Sequence, residues 1–135
     1  MKKILILSFL FYITLIFSQK NENYYKVSFS SICCGTPSQK PVSDFINSFQ
    51  KKNKLKQLEV ISKHGLGKEG EFAIYIGIDR LSKKQKLSFI NGLNKVTQNQ
   101  NKVRNENHDG FVNFDSKEIV KKEDLKKINQ IIINR

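Results

Sequence analysis

Hydrophobic and polar positions change period several times along the chain, and each change predicts an element. Tyr25, Val27 and Phe29 alternate with Lys26, Ser28 and Ser30, the period of two that marks a half-buried strand. Pro41, whose fixed φ suits a first helical turn, then precedes Val42, Phe45, Ile46 and Phe49 at i, i+3, i+4 and i+7. That stripe predicts an amphipathic helix stopping near Asn53. Leu58 and Val60 alternate with Glu59 and Ile61 in a weaker second strand. The glycine-rich stretch 64–70 joins it as a hairpin to a third strand, with Phe72, Ile74, Ile76 and Ile78 on one face and Ala73, Tyr75 and Gly77 on the other.

Ser82-Lys83-Lys84-Gln85 has the spacing of a capping box, so a second helix starts there. Its buried stripe is Phe89, Ile90, Leu93 and Val96, extended to Val103, with Gly92 a weakness of about 1 kcal/mol relative to Ala. The polar segment 105–110 ends it, and residues 111–114 read as a short fourth strand. Leu125, Ile128 and Ile132 predict a closing helix, although the β-branched run 131–133 suits a strand equally well. The order strand, helix, strand, strand, helix, strand predicts an α+β fold of the ferredoxin-like split βαβ kind (β-α-β-β-α-β). It is expected to be an antiparallel sheet with two helices on one face, plus a C-terminal helix or strand.

Ahead of these elements, Lys2 and Lys3 lead an apolar run over residues 4–17, broken only by Ser8 and Thr14. It is shorter than the ~20 residues a membrane-spanning helix needs and reads as an export signal. The expected organisation is a signal peptide over 1–18, a polar lead-in over 19–23 and one α+β domain over 24–135. Cleavage is expected near Ser18, placing the protein in the periplasm or outside the cell. Ile16 and Phe17 are bulkier than the residues such a cut prefers, so an uncleaved anchor, and with it membrane attachment, is the alternative.

Charge adds a class of partner. The chain has 24 basic and 12 acidic residues, a net +12, and a balance of this size attracts polyanions. The lysines are spread in pairs, at Lys51-Lys52, Lys83-Lys84, Lys121-Lys122 and Lys126-Lys127, and such runs read first as solvated faces. Polyanion binding through Lys-rich faces ranks behind a protein partner, and export argues against intracellular nucleic acid. Tyr25, Phe29, Phe72 and Tyr75 put aromatics on the first and third strands. Phe72 and Tyr75 lie three apart and face opposite sides, so they form no base-stacking pair; these aromatics read as core.

The candidate chemistry centres on Cys33 and Cys34, the only cysteines, which export would expose to oxidants. A disulfide between neighbours closes a very small ring and tends to distort the intervening peptide, at about 3–4 kcal/mol if it becomes cis. Such a bridge staples no loop and suits a redox switch better than a brace. As thiolates the pair could hold Cu(I), or Zn(II) with further ligands, but side chains of adjacent extended residues point apart. A third reading packs one thiol in the core and leaves the other exposed or paired with a second chain. The loop Cys33-Cys34-Gly35-Thr36-Pro37 is the leading candidate binding surface.

His64 and His108 are the only histidines. Either would bring the zinc-type donors to three with the two cysteines, yet both sit in predicted loops and read as surface residues. The glycines at 65–70 lead into a strand, not a helix, so they do not form a phosphate cradle. No G-x-S-x-G elbow occurs, and Glu69 and Glu71, which flank Gly70, read as solvated. No catalytic residue and no cofactor-binding residue is assigned. The chain is therefore expected to be a small exported binding module rather than an enzyme, with a thiol-dependent metal or redox role at Cys33-Cys34 as the alternative.

Overall fold

A computed structural model describes residues 21–133, the stretch from 128 onward as backbone alone; the signal peptide read over 1–18 lies outside these residues. The elements are β1 (Asn23–Ser30), α1 (Lys40–Lys52), β2 (Val60–His64), β3 (Phe72–Gly77), α2 (Lys83–Lys102), β4 (Phe111–Lys121) and α3 (Lys122–Ile133). The four strands form one sheet in the order β2-β3-β1-β4, every neighbouring pair antiparallel. Each of α1 and α2 joins two strands separated by one other strand. The architecture is α+β, and its strand order is consistent with the split βαβ arrangement.

The period-two pattern sorts the sheet into two faces. Tyr25, Val27, Phe29, Phe72, Ile74 and Ile76 pack with Val42, Ile46 and Phe49 of α1 and Phe89 and Leu93 of α2 in the main core. Phe29 and Phe72 stack with ring centroids 4.4 Å apart, and Phe49 meets Phe89 edge-on at 4.9 Å. A Cβ at Gly92 would run into the Phe45 ring, so the residue that weakens α2 as a helix lets α1 and α2 approach closely. The α2 start is fixed as its sequence predicts: the Gln85 N–H donates to Ser82 Oγ at 3.3 Å, and the Ser82 N–H donates to Gln85 Oε1 at 2.9 Å. On the other face Tyr24, Ala73 and Tyr75 pack with Leu125 of α3. The closing segment is therefore a helix, and it covers the second face of the sheet.

Four details depart from the sequence reading. Val103 does not extend the α2 stripe: it lies beyond the helix and is 86 % exposed, while Thr97 is buried with its hydroxyl donating to the Leu93 carbonyl at 3.0 Å. The second strand starts at Val60, after Leu58 has reached the core. His64 is its last residue, stacked on Phe72 at 5.1 Å rather than placed in a loop. The fourth strand runs on to Lys121, because the polar residues Asp115 to Glu118 bulge between two paired stretches: Val27 opposes Phe114, whereas Tyr25 opposes Ile119.

The polar residues at the start of β1 also belong to the fold. Asn21 is buried and donates to Glu59 Oε2 at 3.1 Å, and the Tyr24 hydroxyl donates to the same oxygen at 3.1 Å. Asp79 accepts the Glu22 and Asn23 N–H groups at 2.6 and 3.0 Å and the Asn23 amide at 2.8 Å. Burial pushes the Asp79 carboxyl up, but those hydrogen bonds and the Lys86 charge outweigh it and hold the group below the usual range. Burial, then the Glu59 hydrogen bond, pushes the Tyr24 hydroxyl up to about 12. Among the described residues no helix is long and apolar enough to cross a membrane.

Candidate functional site

At the far end of β1 the chain leaves the sheet after Ser30 and enters the cysteine loop. Cys34 adopts φ +69° and Gly35 φ +112°. A left-handed residue other than glycine is uncommon, and here it reverses the usual divergence of neighbouring side chains: the two sulfurs converge and are joined as a disulfide. The Cα atoms lie 3.8 Å apart and the described residues contain no cis peptide bond. The convergence corrects the expectation that adjacent sulfurs point apart. Both cysteines are exposed, which also removes the reading in which one packs in the core.

Strand pairing supplies the other wall. Ser30 opposes Phe111 across the β1–β4 ladder, so the loop after β1 and the turn before β4 are neighbours by topology. That turn is braced internally. The Asn105 N–H donates to Asp109 Oδ2 at 2.8 Å, the Asp109 N–H donates to the Asn105 carbonyl at 2.8 Å, and Arg104 Nη1 donates to the Asp109 carbonyl at 3.1 Å. The other Asp109 oxygen meets His108 Nδ1 at 2.9 Å. The Asn105 N–H first, and then the His108 bond, hold the Asp109 carboxyl below its ordinary range.

Gly110 lets the two walls touch. It is buried, and a Cβ there would collide with the Ser30 carbonyl and press on the Pro37 ring. Gln100 adds a tie from α2, its Nε2 donating to the Ser38 carbonyl at 2.7 Å, while the Asn101 amide makes a two-way bond with the Val112 backbone at 2.8 and 2.9 Å.

The result is a cleft of about 290 Å³ lined by Cys33 to Pro37 on one side and by Arg104, His108 and Asp109 on the other, with exposed Val103 beside it. The two sulfurs and a ring nitrogen of His108 lie within 4.8 Å of one another. The structure thus gathers the whole sequence-predicted loop at one cleft and adds His108, which is exposed as the sequence reading has it but stands in the wall of that cleft. His64 is not part of this group. The signal for His108 was topological: a split βαβ order places the loop after β1 beside the turn before β4.

No family model, curated protein or solved structure matches this chain.

The arrangement has two chemical states. Oxidised, it presents an accessible disulfide beside an imidazole–carboxylate pair. Reduced, it presents two thiols beside one imidazole. A tetrahedral zinc site would need a fourth donor, and both Asp109 oxygens are already engaged within the turn.

Proposed function

We propose that the protein is a small redox-responsive binding module that works through Cys33–Cys34, its cleft loop presenting one surface when the sulfurs are joined and another when they are parted. The observation that carries this reading is the joined pair on an exposed loop at the mouth of a cleft. A bond between neighbours closes no loop of chain and so adds almost nothing by the loop-entropy route. Its placement favours reaction over bracing. The leader read over residues 1–18 supports the same reading, since an oxidising compartment would keep the pair joined until a reductant arrives.

The step is thiol–disulfide exchange with a dithiol reductant. One reductant thiolate attacks a cysteine sulfur, forms a mixed disulfide and expels the other cysteine as a thiolate. The second reductant thiol then closes the reductant's own disulfide, and the protein gains two electrons and two protons. On this reading His108, which lies within 4.8 Å of the sulfurs and is held by Asp109, is the neighbouring group that can assist the departing sulfur.

Equilibration in dithiothreitol buffers of graded potential, followed by alkylation and intact mass, tests this. The expected result is a single two-electron transition adding two alkyl groups per chain, reversed by oxidation, with the far-ultraviolet spectrum unchanged. Sulfurs that stay joined at every potential tested, or that part only when the chain unfolds, would overturn the reading.

A further inference from the structure

We propose that the reduced cleft binds one soft monovalent metal cation of the Cu(I) type through Cys33 Sγ, Cys34 Sγ and His108 Nε2. This rests on the thiol reading above, because joined sulfurs carry no charge to offer a cation. Geometry supplies the first argument. Metal–ligand bonds of about 2.0–2.3 Å place the donors of a three-coordinate site about 3.5–4 Å apart. The two sulfurs and one ring nitrogen of His108 already lie within 4.8 Å of one another, and parting the disulfide moves the sulfurs from bonding distance toward the required separation.

The histidine supplies the second. Asp109 Oδ1 engages Nδ1 at 2.9 Å, which leaves Nε2 as the ring nitrogen to ligate. The Asn105 N–H fixes the other carboxylate oxygen at 2.8 Å. A carboxylate holding the far nitrogen of a histidine is the usual support behind a metal ligand; Asp109 is thus a positioning residue. The donor set supplies the third: two thiolates and an imidazole suit Cu(I), which accepts three ligands, better than Zn(II), which asks for four. Binding releases two thiol protons and leaves a complex of net charge −1. The Arg104 guanidinium lining the cleft offsets that charge.

Metal and disulfide therefore exclude one another, and the exclusion is reciprocal. Cu(I) at about a hundredfold over its dissociation constant raises the midpoint of the thiol couple by about 59 mV, two tenfold steps of 29.6 mV each.

The test titrates the full chain, reduced with a phosphine and desalted without oxygen, with Cu(I) against a chromophoric Cu(I) chelator, and counts free thiols in parallel. The expected result is one Cu(I) per reduced chain and none per oxidised chain. His108→Ala should weaken binding at least tenfold while the thiol count stays at two, and Asp109→Asn should weaken it about tenfold. A folded chain with two titratable thiols that takes up no Cu(I) would overturn the metal site and leave the redox reading standing; a chain that never yields two thiols would overturn the redox reading itself. Equal affinity in His108→Ala would remove His108 from the site.

Discussion

The two ends of β1 carry the two polar clusters described above, and they spend their polarity in opposite ways. At the Asn23 end, Asn21, Asn23, Tyr24, Glu59 and Asp79 satisfy one another across the start of β1, the approach to β2 and the end of β3. At the Ser30 end, Cys33, Cys34 and His108 converge while exposed, around a cleft. Hydrogen bonds that close on themselves leave no valence for a ligand, whereas sulfurs joined only to one another regain theirs once a reductant parts them. The first cluster is spent on the fold, and on the reading proposed above the second is the one that reacts. Net charge and residue type alone would not have separated them.

The sharpest way to break this contrast is to remove each cluster and read both outputs. Cys33→Ser with Cys34→Ser is expected to abolish the redox transition and metal uptake outright. The thermal midpoint should move little, since exposed positions away from the core change stability within about 0.5 kcal/mol. Calorimetry beside the thiol and copper titrations checks both halves, and a large loss of stability would mean that the disulfide braces the fold.

Asp79→Asn should do the reverse. The amide keeps one acceptor oxygen but turns a second donor toward the N–H groups of Glu22 and Asn23, which the carboxylate now satisfies. Stranding such donors, which water can partly reach, costs about 1 kcal/mol, visible as a lower denaturant midpoint. The number of thiols, their potential and their Cu(I) affinity should remain as in the parent chain. Gly110→Ala tests the join between the two walls and is expected to have an intermediate effect. Its methyl would push the His108 turn off the cysteine loop, so Cu(I) affinity should fall more than stability does. Equal copper binding in that variant would show that the glycine does not set the spacing.

The contrast also explains what could be read from the sequence. The strands, the helices and the capping box followed from local pattern, because the residues that make each element are neighbours in the chain. The cysteine loop was visible too, since it interrupts a strand with small residues. The nearness of His108 was not, because it depends on residues some seventy-five positions away, brought close by the pairing of Ser30 with Phe111. The joining of Cys33 to Cys34 was hidden for another reason: it comes with a left-handed backbone at Cys34, which no periodicity encodes. The length of β4 was masked by the Asp115 to Glu118 bulge, whose polar residues break the alternation before Ile119 resumes it.

The smallest expected effect lies in pH, where both ends contain an aspartate held below its ordinary range. A depressed carboxyl contributes stability that is present above its unfolded value and lost as the pH falls through its folded value. The sign is the same at the two ends, but the surroundings differ. Asp79 is half-buried with backbone donors aimed at it, whereas the Asp109 side chain is 48 % exposed, where water and salt replace much of what protonation removes. Urea midpoints measured between pH 7 and pH 3 should therefore fall less steeply in Asp79→Asn than in the parent chain, and Asp109→Asn should follow the parent closely. At the alkaline limit Tyr24, pushed up to about 12, stays neutral in the folded chain while its unfolded counterpart ionises near 10, so stability is lost as the pH rises between those values. Tyr24→Phe should flatten that limb. An acid limb that responds more to Asp109→Asn than to Asp79→Asn would reverse the assignment of structural and reactive ends, because the exposed turn would then be bracing the fold.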